Sequence, residues 1–265
     1  MGAAVLLASC APQPVAPNGT GPTFVSLNPC LDAILIEVAK PEQILALSHF
    51  SRDPASSSIE PDEASRFAVT GGTAEEVIAL RPSHVIASTL IAPATRSALE
   101  RAGLDVLLYG SPSSTQESLA QITDIAELVE NPAAGAELIA RIEAAPTSQD
   151  QRQLSALLWQ PGQIVAGDTS LVAEYLRSAN MTSHSAAMGL GQADYVSLEA
   201  ILADPPELLL LAGTEQGQTH PLLNQLSDTH VAAFAPNLLY CAGPSIPKAR
   251  MRLMEIRRAI QEEQG

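Results

Sequence analysis

Two segments of the chain, 124 residues apart, share one pattern of apolar and polar positions. Residues 73–89 read TAEEVIALRPSHVIAST, and residues 197–213 read SLEAILADPPELLLLAG. In each, a hydroxyl residue precedes apolar residues at helical spacing, then proline, then a short apolar run. This order predicts a capped helix that ends near the proline and leads into a buried strand. The chain therefore contains the same helix-to-strand unit twice.

The two units lie in similar surroundings. Thr73 and Ser197 are the predicted helix caps, and Glu76 stands where its side chain can complete a capping box with Thr73. Apolar runs alternate with helical patterns on both sides: TFVSL, ILALS and DVLLYG in the first half, SALLWQ and HVAAFA in the second. Strands that alternate with helices favour parallel sheets covered by helices. We therefore predict an α/β protein with two Rossmann-like lobes.

The segment between the halves is helical in period from residue 116 to 146, apart from Asn131-Pro132. It predicts a single long backbone helix that joins the lobes. The predicted divisions are a signal or lipoprotein segment and tether (1–22), an N-terminal lobe (23–115), the linking helix (116–148) and a C-terminal lobe (149–265). Ligands of parallel α/β sheets bind beyond the carboxyl ends of the strands, so we expect a ligand cleft between the lobes.

Composition narrows the possible functions. The 265 residues are 46% hydrophobic and 16% charged, which is typical of a globular protein. The formal net charge is −15, which disfavours binding to a nucleic-acid backbone. A basic run near the end, KARMRLMEIRR, carries apolar residues at helical spacing and predicts a closing surface helix.

The first residues, MGAAVLLASC, resemble the lipobox of bacterial lipoproteins, in which Cys10 would carry the lipid. The Pro/Gly/Asn segment that follows suits a flexible tether. A truncated export signal and the start of a buried helix are the alternatives. No later run approaches the ~20 apolar residues that a membrane span needs.

Three stretches carry a resemblance to a known family: VSLNPCLDAILIEVAKPEQILALSHFSRDP, GGTAEEVIALRPSHVIAS and DYVSLEAILADPPELLLLAG. Over roughly residues 23–260 the chain is similar to the substrate-binding proteins of ABC importers for vitamin B12 and ferric siderophores. The resemblance implies a two-lobed, non-enzymatic, periplasmic protein without a cofactor, which delivers its ligand to a membrane permease. We expect a monomer, lipid-anchored through Cys10.

Members of this family usually carry one exposed carboxylate on each lobe, which docks to arginines of the permease. The matching first-lobe pattern, SLNPCLDAIL, places this acid at Asp32, and the helix LVAEYL of the second lobe places the other at Glu174. Without the resemblance, Asp32 is an acid favoured by the dipole at a helix start, and Glu174 belongs to a solvated helix face.

Six residues at predicted strand ends and loops form the candidate ligand site: Phe50, Arg52, Tyr109, Trp159, Gly191 and Tyr240. Rigid aromatic side chains suit a large ring-bearing ligand, although each of the four could instead pack in a lobe core. Arg52 could bind an anionic group or pair with a surface acid, and Gly191 permits close approach of the backbone to the ligand.

Cys30 and Cys241 fall in predicted cleft-facing loops of opposite lobes. A disulfide between them would join the lobes, and two buried thiols are the alternative.

Two other functions fit a two-lobed α/β fold: an enzyme of the glycosyltransferase or metal-cluster type, and a lipoprotein that binds a protein partner. We find no GxSxG, HExxH, CxxC or glycine-rich phosphate motif and no metal-ligand spacing among the histidines, so no catalytic or metal site is predicted. Within the transport hypothesis, the few basic residues near the candidate pocket, Arg52 and Lys248, favour weakly charged cobalamin over a ferric siderophore. Haem is the third choice, because a second axial ligand is not evident.

Overall fold

The N-terminal lobe is a five-stranded parallel sheet covered by helices. A computed structural model describes residues 21–191, 193–239 and 241–264. The strands are β1 (Phe24–Ser26), β2 (Ile44–Ser48), β3 (Val69–Thr70), β4 (His84–Ser88) and β5 (Asp105–Tyr109), in the order β3-β2-β1-β4-β5. The helices are α1 (Pro29–Val38), α2 (Pro61–Ala64), α3 (Ala74–Leu80) and α4 (Pro93–Arg101). Strand β1 is central and fully buried, because helices cover both faces of the sheet.

The connection to the second lobe differs from the predicted single helix over 116–148. Two helices occupy it, α5 (Thr115–Leu128) and α6 (Pro132–Glu143). Asn131 caps α6 by accepting a hydrogen bond from the amide of Ala134 at 3.4 Å, and Pro132 has no N–H to continue α5. The fold class is confirmed, whereas the continuous linking helix is wrong in this detail.

Helices α5 and α6 pack closely against each other and against α1. At Gly135 a Cβ atom would lie 2.4 Å from the Cβ of Ala126, so only glycine permits this approach. The side chain of Asn131 also donates to the carbonyl of Val38 at 2.9 Å, which fixes the turn between the helices to the end of α1.

The C-terminal lobe contains a four-stranded parallel sheet and a small antiparallel pair. The four strands are β6 (Leu154–Trp159), β8 (Met181–Ser183), β10 (Leu208–Leu211) and β11 (His230–Ala233), in the order β11-β10-β6-β8; β7 (Ile164–Val165) pairs with β9 (Asp194–Tyr195). The helices are α7 (Leu171–Ser178), α8 (His184–Ala187), α9 (Leu198–Ala203) and α10 (Ser245–Gln264). Short 3-10 helices cover Pro41–Gln43, His49–Arg52, Pro161–Gln163, Pro221–Gln225 and Pro236–Leu238.

The repeated unit takes the same form in both lobes. The hydroxyls of Thr73 and Ser197 each accept a backbone N–H at 3.3 Å, which caps α3 and α9, and these helices precede the inner strands β4 and β10. The predicted capping box is wrong in one arm. The Glu76 carboxylate accepts from the Thr70 hydroxyl and the Gly71 amide, both at 2.7 Å, because the turn before α3 presents these donors.

One buried hydrophobic cluster runs through both lobes. It includes Leu35 and Ile122 on the N-terminal side, and Leu210, Phe234 and Ile246 on the C-terminal side. The lobes therefore share a core instead of meeting only at a linker. Among the described residues, no helix combines the length and the apolar character of a membrane span.

A cleft between the lobes as candidate ligand site

A cavity of about 350 Å³ lies between the lobes. Its wall includes Ser88 and Tyr109, where β4 and β5 end, and Gln160, which follows β6. The carboxyl ends of parallel strands from both sheets thus meet at this cavity, as expected for ligand sites in α/β folds. Its volume falls within the range of about 300–1,000 Å³ that is typical of small-molecule sites.

The cavity wall consists of neutral side chains. The larger aliphatic members are Leu31, Ile34, Ile164, Val165, Leu171, Val172 and Leu239. The hydrogen-bonding members other than Tyr109 include Asn28, Ser88, Ser111, Ser113, Gln121 and Gln160. Both lobes contribute amide groups and aliphatic surface, so a ligand between them would contact carboxamides, hydroxyls and hydrocarbon.

Local hydrogen bonds hold the N-terminal side of this wall in place. The Oδ1 of Asn28 accepts from the amides of Cys30 at 2.9 Å and Leu31 at 3.2 Å, which caps α1 at the cavity. The side chain of Gln121 donates to the carbonyl of Gly110 at 3.1 Å. The amide and the hydroxyl of Ser113 both donate hydrogen bonds to the Glu117 carboxylate of α5, at 2.8 and 3.0 Å.

Tyr109 lies in the cavity wall, in the position where the sequence places a ligand-binding aromatic residue. Burial, with a smaller effect of the nearby Asp124 carboxylate, raises the pKa of the Tyr109 phenol to about 12. At neutral pH this group is therefore a protonated phenol that can donate a hydrogen bond to a ligand.

Two predicted ligand residues on the loop after β2, Phe50 and Arg52, lie outside the cavity wall. Arg52 donates to the carbonyl of Phe67 at 2.8 Å, so its guanidinium binds the backbone of its own lobe. Phe50 is 48% exposed and contacts the ring of His49, with ring centroids 4.0 Å apart. The loop follows β2, which pairs with β1 on the side away from β4 and β5, the strands whose ends line the cavity.

Trp159 does not line the cleft, so the prediction that it contacts the ligand is wrong. Its side chain has no exposed area, and its Nε1 donates to the carbonyl of Val196 at 2.9 Å within a buried cluster of the C-terminal lobe. The next residue, Gln160, lies in the wall instead. Gly191 is exposed outside the wall and donates to the Asp194 carboxylate at 2.6 Å. Tyr240 and Cys10 lie outside the described residues.

Asp32 is fully buried, so its prediction as an exposed docking acid is wrong. Its carboxylate accepts from the Ser48 amide at 2.8 Å and the Ser51 hydroxyl at 2.5 Å, because α1 packs against the loop after β2. Burial raises the pKa of Asp32 to about 7, and hydrogen bonds from these groups and from Ser26 oppose the increase. The other carboxylate oxygen is buried without a hydrogen-bond partner.

Glu174 also acts within the molecule. It is half-buried, and its carboxylate accepts a hydrogen bond from the amide of Thr115 at 2.8 Å, at the first residue of α5. An acid at a helix N-terminus is favoured by the unpaired amides and the helix dipole. Glu174 of the C-terminal lobe therefore caps a helix that begins at the N-terminal lobe, and its prediction as a free docking acid is corrected.

The structure instead exposes one equivalent acid on each lobe. Glu75 and Glu199 stand at the second residue of α3 and α9, and both are exposed. They occupy the same position in the two copies of the repeated unit. The internal repeat was the signal in the sequence that could have identified this pair, because in both copies the acid follows the buried apolar residue that begins the helix.

A disulfide joins Cys30 of α1 to Cys241, which precedes α10. The Cα atoms are 4.8 Å apart, within the usual range for disulfides. Cys30 lies in the cavity wall, and Cys241 is buried. The covalent bond therefore connects the two lobes at the ligand cavity.

Two helix-covered parallel sheets that face each other across a cavity define a two-lobed binding protein. A model of the periplasmic binding protein family matches residues 24–233, and the chain belongs to that family. Members bind small molecules outside the cytoplasm and work with ABC permease subunits; they are not enzymes, and the bound molecule is cargo and not a cofactor.

Three solved structures illustrate the similarity of fold. The periplasmic heme-binding protein RhuT from Roseiflexus sp. RS-1 is 20% identical (TM-score 0.72, 89% of this chain and 97% of that chain). A possible iron-binding protein from Staphylococcus epidermidis is 15% identical (TM-score 0.73, 90% and 99%), and the vitamin B12 binding protein BtuF of Vibrio cholerae is 15% identical (TM-score 0.64, 91% and 98%). At these identities the similarity shows the fold alone. A comparison with curated proteins finds no match.

Proposed function

We propose that the chain is the binding protein of an ABC importer that captures a neutral, amide-bearing corrinoid, cobalamin, between its lobes. The observation that carries this proposal is the chemistry of the cavity wall. Asn28, Gln121 and Gln160 supply carboxamides from both lobes, and the rest of the wall is hydroxyl and aliphatic.

The wall complements the periphery of a corrin ring. Such a ring carries side-chain carboxamides that both donate and accept hydrogen bonds, as Gln121 and Gln160 do. A buried carboxylate requires a cation or several charge-assisted hydrogen bonds, whereas a neutral amide is satisfied by another amide. The net charge of −15 further disfavours the approach of an anionic ligand.

We propose that Glu75 and Glu199 are the carboxylates that dock to arginines of the permease. Their exposure and their equivalent positions in α3 and α9 support this role. A pair of acids related by the internal repeat suits a permease that presents one basic site to each lobe. We retain a lipid anchor at Cys10 as part of the proposal, which keeps the chain at the membrane that holds the permease.

Haem is the second candidate ligand, and Tyr109 is the observation that favours it. A tyrosine oxygen is a known axial ligand of ferric haem, and the Tyr109 phenol lies in the cavity wall. The similarity of fold to RhuT, which is named a heme-binding protein, supports this candidate. A ferric siderophore comes third, because an anionic complex would need cationic partners in the wall.

Isothermal titration of the purified chain tests the proposal, with cyanocobalamin, haemin and the neutral siderophore ferrichrome as parallel probes. We expect saturation by cyanocobalamin at one molecule per chain. The paired change Gln121→Ala and Gln160→Ala should weaken that binding about tenfold or more, because each amide contributes roughly 0.5–1.5 kcal/mol through its hydrogen bonds. Saturation by haemin alone would make haem the ligand, and saturation by none of the three would favour a protein partner.

A further inference from the structure

We propose that the Cys30–Cys241 disulfide is a positioning element of the ligand site, which holds the C-terminal wall of the cavity against α1. The expected effect of the disulfide on ligand affinity rests on the proposed function. Its expected effect on the structure of the wall does not. The bond lies at the cavity: Cys30 is part of the wall, and so are Leu239 and Ala242 on either side of Cys241.

The segment that contains Cys241 is also bound to α5. The amide of Gly243 donates to the Ser118 hydroxyl of α5 at 2.8 Å. Within the segment, the Ser245 hydroxyl donates to the carbonyl of Cys241. Gly243 has a φ of +70°, and a Cβ atom there would lie 3.3 Å from Ile34, which is itself part of the wall. Segment 241–245 therefore packs closely against α1 and α5.

The disulfide is a covalent connection, whereas the other contacts between these segments are non-covalent and can break. The ion pair between Lys248 and Glu60 also joins the lobes, at 2.9 Å, but both side chains are exposed, and such pairs contribute little. The Ser118 hydrogen bond breaks whenever segment 241–245 moves away by a few tenths of a nanometre. The disulfide spans 211 positions of sequence and keeps the two walls together through such movements.

Ligand occupancy and the state of the disulfide are then linked. A ligand in the cavity covers the half-exposed Cys30, so a thiol reductant loses access to its sulfur. Reciprocally, opening the disulfide releases the wall and lowers the affinity for the ligand by the same coupling free energy. A disulfide with a purely global stabilising role would show no such protection by ligand.

The test compares the oxidised chain, the dithiothreitol-reduced chain and the double variant Cys30→Ser, Cys241→Ser. In the reduction, one dithiothreitol transfers two electrons and two protons, becomes a cyclic disulfide and leaves two protein thiols. Hydrogen exchange should become faster in segment 241–245 and at the start of α1, and remain unchanged in β10, an inner strand of the C-terminal lobe. Equal exchange in all three forms would overturn the inference.

Affinity gives the second readout, with cyanocobalamin, haemin and ferrichrome as probes. We expect opening of the disulfide to weaken binding of whichever probe binds by about tenfold, and reoxidation to restore it, within the usual range of coupling between sites. Saturating ligand should slow reduction by a similar factor. Unchanged affinity and unchanged reduction rate would refute the positioning role. If none of the probes binds, the proposed function fails, and the exchange experiment alone decides the inference.

Discussion

The buried carboxyl of Asp32 gives the chain an unusual dependence of stability on pH. Its pKa is 3.8 in an unfolded reference and about 7 in the folded chain, because it is fully buried. Between these values the folded chain holds a proton that the unfolded chain has lost. Stability contributed by Asp32 is therefore present in full below pH 4 and falls as the pH rises toward 7, the reverse of the usual behaviour of a paired carboxylate.

The magnitude follows from the shift. About three pKa units correspond to roughly 4 kcal/mol of unfolding free energy lost across the window. Asp32→Asn keeps an oxygen that accepts from Ser48 and Ser51 and removes the charge. We expect this variant to lose the decline between pH 4 and 7 and to be more stable than the parent at pH 8. The expected gain is about 2–4 kcal/mol, because the cost of ionising the buried carboxyl disappears, while the new amide hydrogens lack a partner and offset part of that gain.

Urea denaturation at pH 5, 6, 7 and 8 measures this effect, with Asp62→Asn in α2 as the control, an exposed acid of the same type. The control should leave the profile unchanged. Two results would refute the raised pKa of Asp32: a lower unfolding free energy of Asp32→Asn at pH 8, or the same decrease of its unfolding free energy with pH as in the parent.

Three further predictions follow from the site and the core. Glu75→Arg with Glu199→Arg should abolish ligand uptake by cells and leave ligand affinity within a factor of about two, because both acids are exposed and outside the wall. Gln121→Lys adds a cation to the wall and should shift preference from cyanocobalamin toward haemin by tenfold or more in competitive titration. Gly135→Ala should lower the unfolding free energy by about 1–3 kcal/mol in thermal or urea denaturation, because its Cβ would meet Ala126 at 2.4 Å.

Each of these has a matched control. Glu137→Arg makes the charge change of each single substitution on an exposed face of α6 and should leave uptake intact. Gln121→Met removes the amide without adding charge and should weaken cyanocobalamin binding without a gain for haemin. Gly110→Ala places a Cβ with no atom within 4 Å and should cost little. Uptake that survives the paired arginine changes, or a loss of affinity in them, would contradict the docking role.

The sequence predicted the elements well because its signals were local. HVIAS became β4 and ILALS became β2 at the expected residues, and the repeated unit formed in both lobes. Tyr109 was found because a strand end in a parallel sheet is a local feature that implies a place near the cleft.

The wrong predictions depended on packing that no local pattern records. Trp159 ends a strand buried on both faces, so alternation could not show that its ring enters the core and that Gln160 enters the wall. Asp32 lies in the first turn of α1, after the Asn28 cap, and only the position of the loop after β2 determines that its side chain is covered. The break at Asn131 was visible in the sequence, but the helical period on both sides outweighed it.

The decisive measurement for the proposed ligand is a crystal structure of the chain with cyanocobalamin. We expect one corrinoid between the lobes, with its carboxamides hydrogen-bonded to Gln121 and Gln160 and its face near Tyr109. An empty cleft at saturating cyanocobalamin, or a ligand bound elsewhere on the chain, would contradict it.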